Sequence, residues 1–423
     1  MNIISYSSIP ESFWYNEQQA DVSERVRKIL QQVKRDGDSA LHELTLKFDG
    51  VSPEKIAWDN SELEPFVDVF SPEQKKAVQQ MKNNITLFAQ KQKQQYSDFS
   101  LELRDGLQLG QLVIPIEKAG IYVPGGNYPL VSTVFMCAIP ARVAGVSKII
   151  LATPPDKKGG INPYIAGAAY LAGVDQIMLA GGAQAIGALA YGTETIPRVD
   201  IIVGPGNAYV TEAKRQVYGM VGIDFVAGPS EVMIIADDTA NAAIVAADLL
   251  AQAEHDVLAS SILITDSRIL AEEVASEIEK QLNGLSTKEI AAQAITNNGY
   301  IILVEHLDQA VNIANRKAPE HLEIHVKDAS AYSTKLKNYG SLFIGSYAGE
   351  ILGDYSAGIN HTLPTAGAAR YSSGLSVANF LKCSTTLTCT KEGYESISDS
   401  AAMMANMEGL QAHYNAVLIR KKY

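Results

Sequence analysis

Seven histidines are spread along the 423 residues, and a few stand in company that can do chemistry. Gln252 and His255 lie three residues apart in a helical pattern over Ala240–Glu254, so both project from one helix face and could share a metal ion. Glu254 is a stronger ligand type, but it sits about 100° around the helix from His255. A lone histidine ending a helix has a plainer explanation as well, favourable interaction with the helix dipole. Glu320 and His321 fall where Ala318-Pro319 gives way to an alternation that reads as a strand. An adjacent carboxylate and imidazole suit proton transfer there; two solvated loop residues would look the same. Asp354 lies in a glycine-rich loop after a strand, where functional groups are often displayed, although aspartate also favours turns in its own right. His413 follows Glu408 by five residues in a C-terminal helical stretch, and a surface position would explain both. His325 reads as structural, and His42 and His306 are assigned no role.

Three glycine-rich turns follow strand-like runs: Pro124-Gly125-Gly126-Asn127, Gly181-Gly182-Ala183-Gln184 and Gly204-Pro205-Gly206-Asn207. Glycines there let backbone N–H groups approach a phosphate at a helix N-terminus. The G-x-G-x-x-G spacing of a dinucleotide fingerprint is absent, and each turn taken alone is also an ordinary strand-to-helix connection.

The elements that must carry these groups are legible in outline. Ser71-Pro72-Glu73 supplies an N-cap and a proline at the first helical position, and Val78, Met81, Ile85 and Phe88 then recur on one face. From about Gly120, short β-branched runs alternate with Ala-rich helical stretches: 147–151, 176–179 and 200–203, then 232–235, 261–265, 300–304 and 341–344. That rhythm predicts βαβ units and two parallel-rich α/β domains. A Thr-rich run follows Cys383, and a helical tail around 401–412 could pack on a partner subunit.

Composition narrows the class. Charged residues are 19% and hydrophobic ones 47%, which favours extensive burial over disorder. The net charge of −12 argues against a nucleic-acid-binding surface. Three scattered cysteines, Cys137, Cys383 and Cys389, fit neither a disulfide framework nor a thiolate metal cluster. The amino end lacks a basic flank and apolar core, and no run of about 18 apolar residues occurs, so the expectation is a soluble cytoplasmic protein without membrane contact.

Taken together, Gly120–Gly126, Gly181–Ile186, Gly204–Val210, Ala227–Glu231, Gln252–His255, Ala318–Leu322, Gly353–His361 and Glu408–His413 resemble the histidinol dehydrogenase family, in family order over roughly residues 20–415. The resemblance implies two-step NAD-dependent oxidation of L-histidinol to L-histidine through L-histidinaldehyde, the last step of histidine biosynthesis, with one zinc ion per subunit. It implies zinc ligands at Gln252, His255 and Asp354, with His413 the fourth, donated by the other subunit of a homodimer with composite sites. Glu320 and His321 match the catalytic pair. Ser230, Gln252, His255, His321, Asp354, Glu408 and His413 match substrate-contacting positions, and Tyr122, Gln184 and Asn207 match NAD-contacting ones. The implied fold has two incomplete Rossmann-like, aldehyde-dehydrogenase-like domains plus small helical terminal segments. Its divisions are a 1–25 arm, a metal-side domain from 26–119 with 236–378, an NAD-binding domain over 120–235, and a dimer-swapped tail over 379–423. A zinc- and NAD-dependent dehydrogenase of another primary alcohol, or of a sulfonated diol, is the alternative within the same residue set. A zinc hydrolase could use the metal and Glu320 but has no use for three glycine-rich turns.

Overall fold

The computed structural model describes residues 1–14, 21–125 and 129–423. Gly126 and Asn127 of the first glycine-rich turn, and residues 15–20 of the expected arm, lie outside the described residues. The strands in chain order are β1 (Asn2–Ser5), β2 (Ala57–Asp59), β3 (Phe99–Arg104), β4 (Leu107–Pro115), β5 (Lys118–Tyr122), β6 (Lys148–Thr153), β7 (Gln176–Leu179), β8 (Ile201–Val203), β9 (Gly222–Ile223), β10 (Glu231–Ala236), β11 (Ser260–Thr265), β12 (Gly299–Leu303), β13 (His321–His325), β14 (Ser341–Ile344) and β15 (Leu381–Cys389). The helices are α1 (Ser23–Asp49), α2 (Asn60–Leu63), α3 (Pro72–Lys93), α4 (Val131–Ala144), α5 (Pro163–Ala172), α6 (Gly182–Tyr191), α7 (Ala208–Val217), α8 (Ala242–Ala253), α9 (Arg268–Leu282), α10 (Lys288–Asn298), α11 (Leu307–Lys317), α12 (Ala329–Ser333), α13 (Glu350–Tyr355), α14 (Lys391–Met407) and α15 (Gln411–Arg420).

Two six-stranded sheets share one plan. The first is ordered β2-β7-β6-β5-β8-β9 and the second β1-β12-β11-β10-β13-β14. Within each, the five strands that follow one another in sequence lie in the spatial order 3-2-1-4-5, all parallel, which is the Rossmann order short of its sixth strand. Such sheets must be covered on both faces, and their strands are continuously apolar: all six residues of β10 and all four of β7 are buried. Residues of α3, α4 and α5 cover one face of the first sheet, and those of α1, α6 and α7 the other. For the second sheet, α8, α9 and α10 lie on one face, with α11 and Phe13 opposite.

Several expectations shift against this frame. The stretch from α1 to α3 does not join the metal-side domain. Strand β2 pairs antiparallel with β7, and Leu30 and Val33 of α1 pack so closely on α6 that a Cβ at Gly187 would meet them at 3.2 and 3.3 Å. Strand β10, placed with the NAD-binding domain, instead forms the centre of the second sheet between β11 and β13. The amino-terminal segment is not wholly an arm, because β1 extends that sheet in parallel beside β12. Helix α3 starts as its Ser71–Gln74 capping box dictates, but Ala89 is the buried position and Phe88 is exposed. The Thr-rich run forms β15, antiparallel to β4, in a third sheet β15-β4-β3. The tail helix divides at Gly409, whose φ of +72° ends α14 and redirects the chain into α15.

Candidate active site

The amino end of β13 presents Glu320 and His321, both nearly buried. They follow Ala318, held at a left-handed φ of +54° that a non-glycine residue adopts only when its surroundings enforce it. The Glu320 carboxylate accepts the N–H of Glu231 at 3.0 Å, which ties it to the first residue of β10, beside Ser230. Helix α8 runs back antiparallel to β10, so Gln252 in its last turn and His255 just beyond return to the same end of the sheet. Helix α13 adds Glu350 and Asp354, one turn apart on one face.

These groups converge on His321. Its Nδ1 lies 3.7 Å from Glu350 Oε1 and 3.9 Å from Glu320 Oε2, and its Nε2 lies 3.7 Å from Asp354 Oδ1. Burial, reinforced by the neighbouring His255 and His361, lowers the His321 pKa to about 3, so its imidazole is neutral at pH 7. Burial also raises Asp354 to about 7 and pushes Glu320 and Glu350 well above the usual carboxylate range, with mutual repulsion among the acids adding to the effect on the latter two. His255, Glu350 and Asp354 hold ligand atoms within 4.8 Å of one another. The buried Gln252 Oε1, Glu350 Oε2 and both His321 nitrogens have no hydrogen-bond partner. Crowded carboxylates beside orphaned nitrogen and oxygen donors are what a divalent cation would relieve, so the residues fit a metal of the zinc type.

A second close group, Asp248, Glu323 and His325, lies deeper, and its Glu323 Oε1 accepts the Glu350 N–H at 2.7 Å. His325 is buried 3.1 Å from Glu323, in keeping with a structural role. Neither group includes His413. Glu408 and His413 are exposed, on either side of the turn between α14 and α15, and the single chain does not bring them to the cluster.

The loop after α13 links this centre to the first sheet. His361 lies 3.3 Å from Thr133 Oγ1 at the start of α4 and 3.1 Å from the Asp354 carbonyl, while Asn360 donates to the Met136 carbonyl at 2.6 Å. Cys137, on α4, is buried and its thiol pKa is pushed up to about 12, so it is an inert core residue. Because α4 follows β5, its first turn stands at the carboxyl ends of the first sheet's strands.

At those ends Tyr122 closes β5, and its hydroxyl accepts the Gly182 N–H at 3.0 Å where α6 begins. Gln184 is buried in the first turn of α6, and the Asn207 side chain caps α7 by accepting from Tyr209 and Val210. Gly204 has φ +114°, and a Cβ there would meet the Tyr122 carbonyl oxygen at 2.2 Å. The turn after β8 therefore meets the end of β5 at the point where strand order reverses, the crevice in which open α/β sheets take dinucleotides. The residues fit such a ligand: two ten-residue helices begin beside bare glycine backbone.

Sequence reasoning missed Glu350 and gave no role to Glu231. The signal for Glu350 was its i, i+4 spacing to Asp354, and it was obscured because the segment read as loop rather than helix.

Comparison with known proteins agrees with this geometry. Residues 15–421 match the family model described as histidinol dehydrogenase. A histidinol dehydrogenase of Bacillus thuringiensis subsp. konkukian is 49% identical over 94% of this chain and 92% of its own length, and one of Listeria monocytogenes is 47% identical over 94% and 93%. The crystal structure of histidinol dehydrogenase from Elizabethkingia anophelis superposes with a TM-score of 0.93 at 40% identity, covering 100% of this chain and 98% of that one.

Proposed function

Because this chain belongs to the histidinol dehydrogenase family and is thereby an oxidoreductase of histidine biosynthesis, we propose that it oxidises L-histidinol to L-histidine in two NAD-dependent steps through L-histidinaldehyde, at a zinc site completed by a second copy of the chain in the cytoplasm. The observation that carries the reading is a buried His321 set among three acidic side chains, at the centre whose loop reaches the carboxyl ends of the first sheet.

Gln252, His255 and Asp354 would hold the metal, with His413 from the second copy; Tyr122, Gln184 and Asn207 would line the NAD site. Zinc bound there supplies Lewis acidity and a template for the substrate's nitrogen atoms, and NAD supplies the hydride acceptor. Ser230 and Asp354 orient the substrate, joined by Glu408 and His413 of the second copy. Orientation of the carbinol carbon is a large part of the rate. His321, neutral at pH 7, takes the hydroxyl proton as hydride leaves. Glu320, held beside Ser230 by the Glu231 N–H, draws a proton from the water that adds to the aldehyde. His321 then serves the resulting gem-diol as it served the alcohol.

Exposure of the donor side supports the composite site. His255 is solvent-facing in the single chain, and large apolar side chains stand bare on the third sheet and tail, among them Phe99, Leu101, Leu387, Met403 and Met407. A patch of that kind marks an interface. No described helix is long and apolar enough to cross a membrane. The names of the relatives do not favour a sulfonated diol as substrate. The test is to add L-histidinol and NAD to the purified chain and follow absorbance of reduced nicotinamide. Two equivalents of NADH per histidinol are expected, and one or none would overturn the assignment.

A further inference from the structure

We propose that Glu350 is the positioning residue for the catalytic imidazole, fixing the tautomer in which His321 Nε2 is the proton acceptor. This rests on the reading of His321 as the base. Two carboxylates approach His321 Nδ1, those of Glu350 at 3.7 Å and Glu320 at 3.9 Å. They differ in what else they do. Glu320 Oε2, the oxygen nearest Nδ1, is already engaged by the Glu231 N–H, whereas Glu350 directs Oε1 at Nδ1 and its other oxygen, Oε2, is buried without a partner. Glu350 is thus the free acceptor for an Nδ1–H, and Glu320 is left to act on water.

The strand that presents the imidazole also places this acceptor. Glu323 is two residues beyond His321 on β13, so the two side chains leave the same face of the sheet. The fully buried Glu323 carboxylate takes the N–H of Glu350 at 2.7 Å and so pins the first residue of α13. His321 and Glu350 are thereby registered to each other through a single strand. A carboxylate on Nδ1 holds the proton there, stabilises the imidazolium that forms after proton transfer, and turns Nε2 towards Asp354, where the substrate hydroxyl would lie. At 3.7 Å the contact is longer than a hydrogen bond, and catalytic hydrogen bonds of this kind close when the site fills.

A double-mutant cycle on the full-length, metal-loaded dimer tests the role, using Glu350→Gln, His321→Asn and the pair. Glu350→Gln should lower kcat about 10²-fold, slow both half-reactions equally, and leave metal content and the KM for histidinol near their starting values. On the His321→Asn background the same change should cost less than about threefold, because no imidazole remains to be oriented. Glu350→Asp, which keeps the charge but withdraws it by one methylene, should fall between, and it takes the place of Glu350→Gln in the cycle should the latter not fold. An undiminished loss on the His321→Asn background would show that Glu350 acts independently of the imidazole. Loss of the metal would make Glu350 a ligand instead, and an unchanged kcat would leave it no role; each of these results overturns the proposal. Full activity in His321→Asn alone would instead bring down the reading of His321 as base, and the proposal with it.

Discussion

At the scale of single residues, two adjacent side chains face different partners, and the proposed mechanism gives them different tasks. His321 meets carboxylates through both nitrogens, and Glu320 is anchored to the backbone of β10. The two should therefore fail differently. His321→Asn should slow oxidation of histidinol and of added histidinaldehyde together, by about 10²–10⁴. Glu320→Gln should release close to one NADH quickly and the second slowly in single-turnover experiments. Equal loss in both steps, with fold and metal intact, would move Glu320 from activating water to orienting its neighbour. Residue types and spacing put Gln252 and His255 on one helix face and set Glu320 and His321 side by side at a strand start, and the structure buries that adjacent pair at the start of β13. What stayed hidden was the environment. That Glu320, Glu350 and Asp354 gather around one imidazole follows from which elements lie side by side, and no local window of sequence records that.

Among the elements, the close contact of the turn after β8 with the end of β5 makes the sharpest demand on a side chain. Gly204→Ala would drive a Cβ into the Tyr122 carbonyl at a φ that L residues rarely adopt, a strain of about 1–3 kcal/mol. The turn must shift, so the KM for NAD should rise at least about tenfold with metal content unchanged. A variant with an unaltered KM for NAD would remove this turn from the dinucleotide site. The βαβ rhythm showed where most strands of the two large sheets begin and end, because fully buried parallel strands are continuous apolar runs. It did not show the hairpin β3–β4, although Asp105-Gly106 between alternating apolar positions is a strong hairpin signal and Gly106 takes φ +73°. Nor did it show that both sheets repeat one strand order, a likeness of path that leaves no repeat in the residues.

In the whole molecule, Glu408 and His413 are held away from the cluster they are proposed to serve, so on that proposal two copies of the chain are needed for one complete site. Mixing a His413→Ala chain with a Gln252→Ala/His255→Ala chain, each inactive alone, should restore activity as heterodimers form. At equal proportions up to about a quarter of the sites would be intact. No recovery from demonstrated heterodimers would return His413 to its own subunit or exclude it from the metal.

The third sheet carries a consequence for how the protein is made. Strand β4 ends at Pro115, and its partner β15 is complete only at Cys389. A ribosome adding residues at the usual pace needs roughly ten to fifty seconds to cover that interval. Throughout it, one side of the nascent hairpin offers unpaired backbone groups flanked by Leu107, Leu109 and Val113 to any neighbouring strand. Chaperone capture during synthesis would be most valuable in that window, and it closes only when the last tenth of the chain emerges.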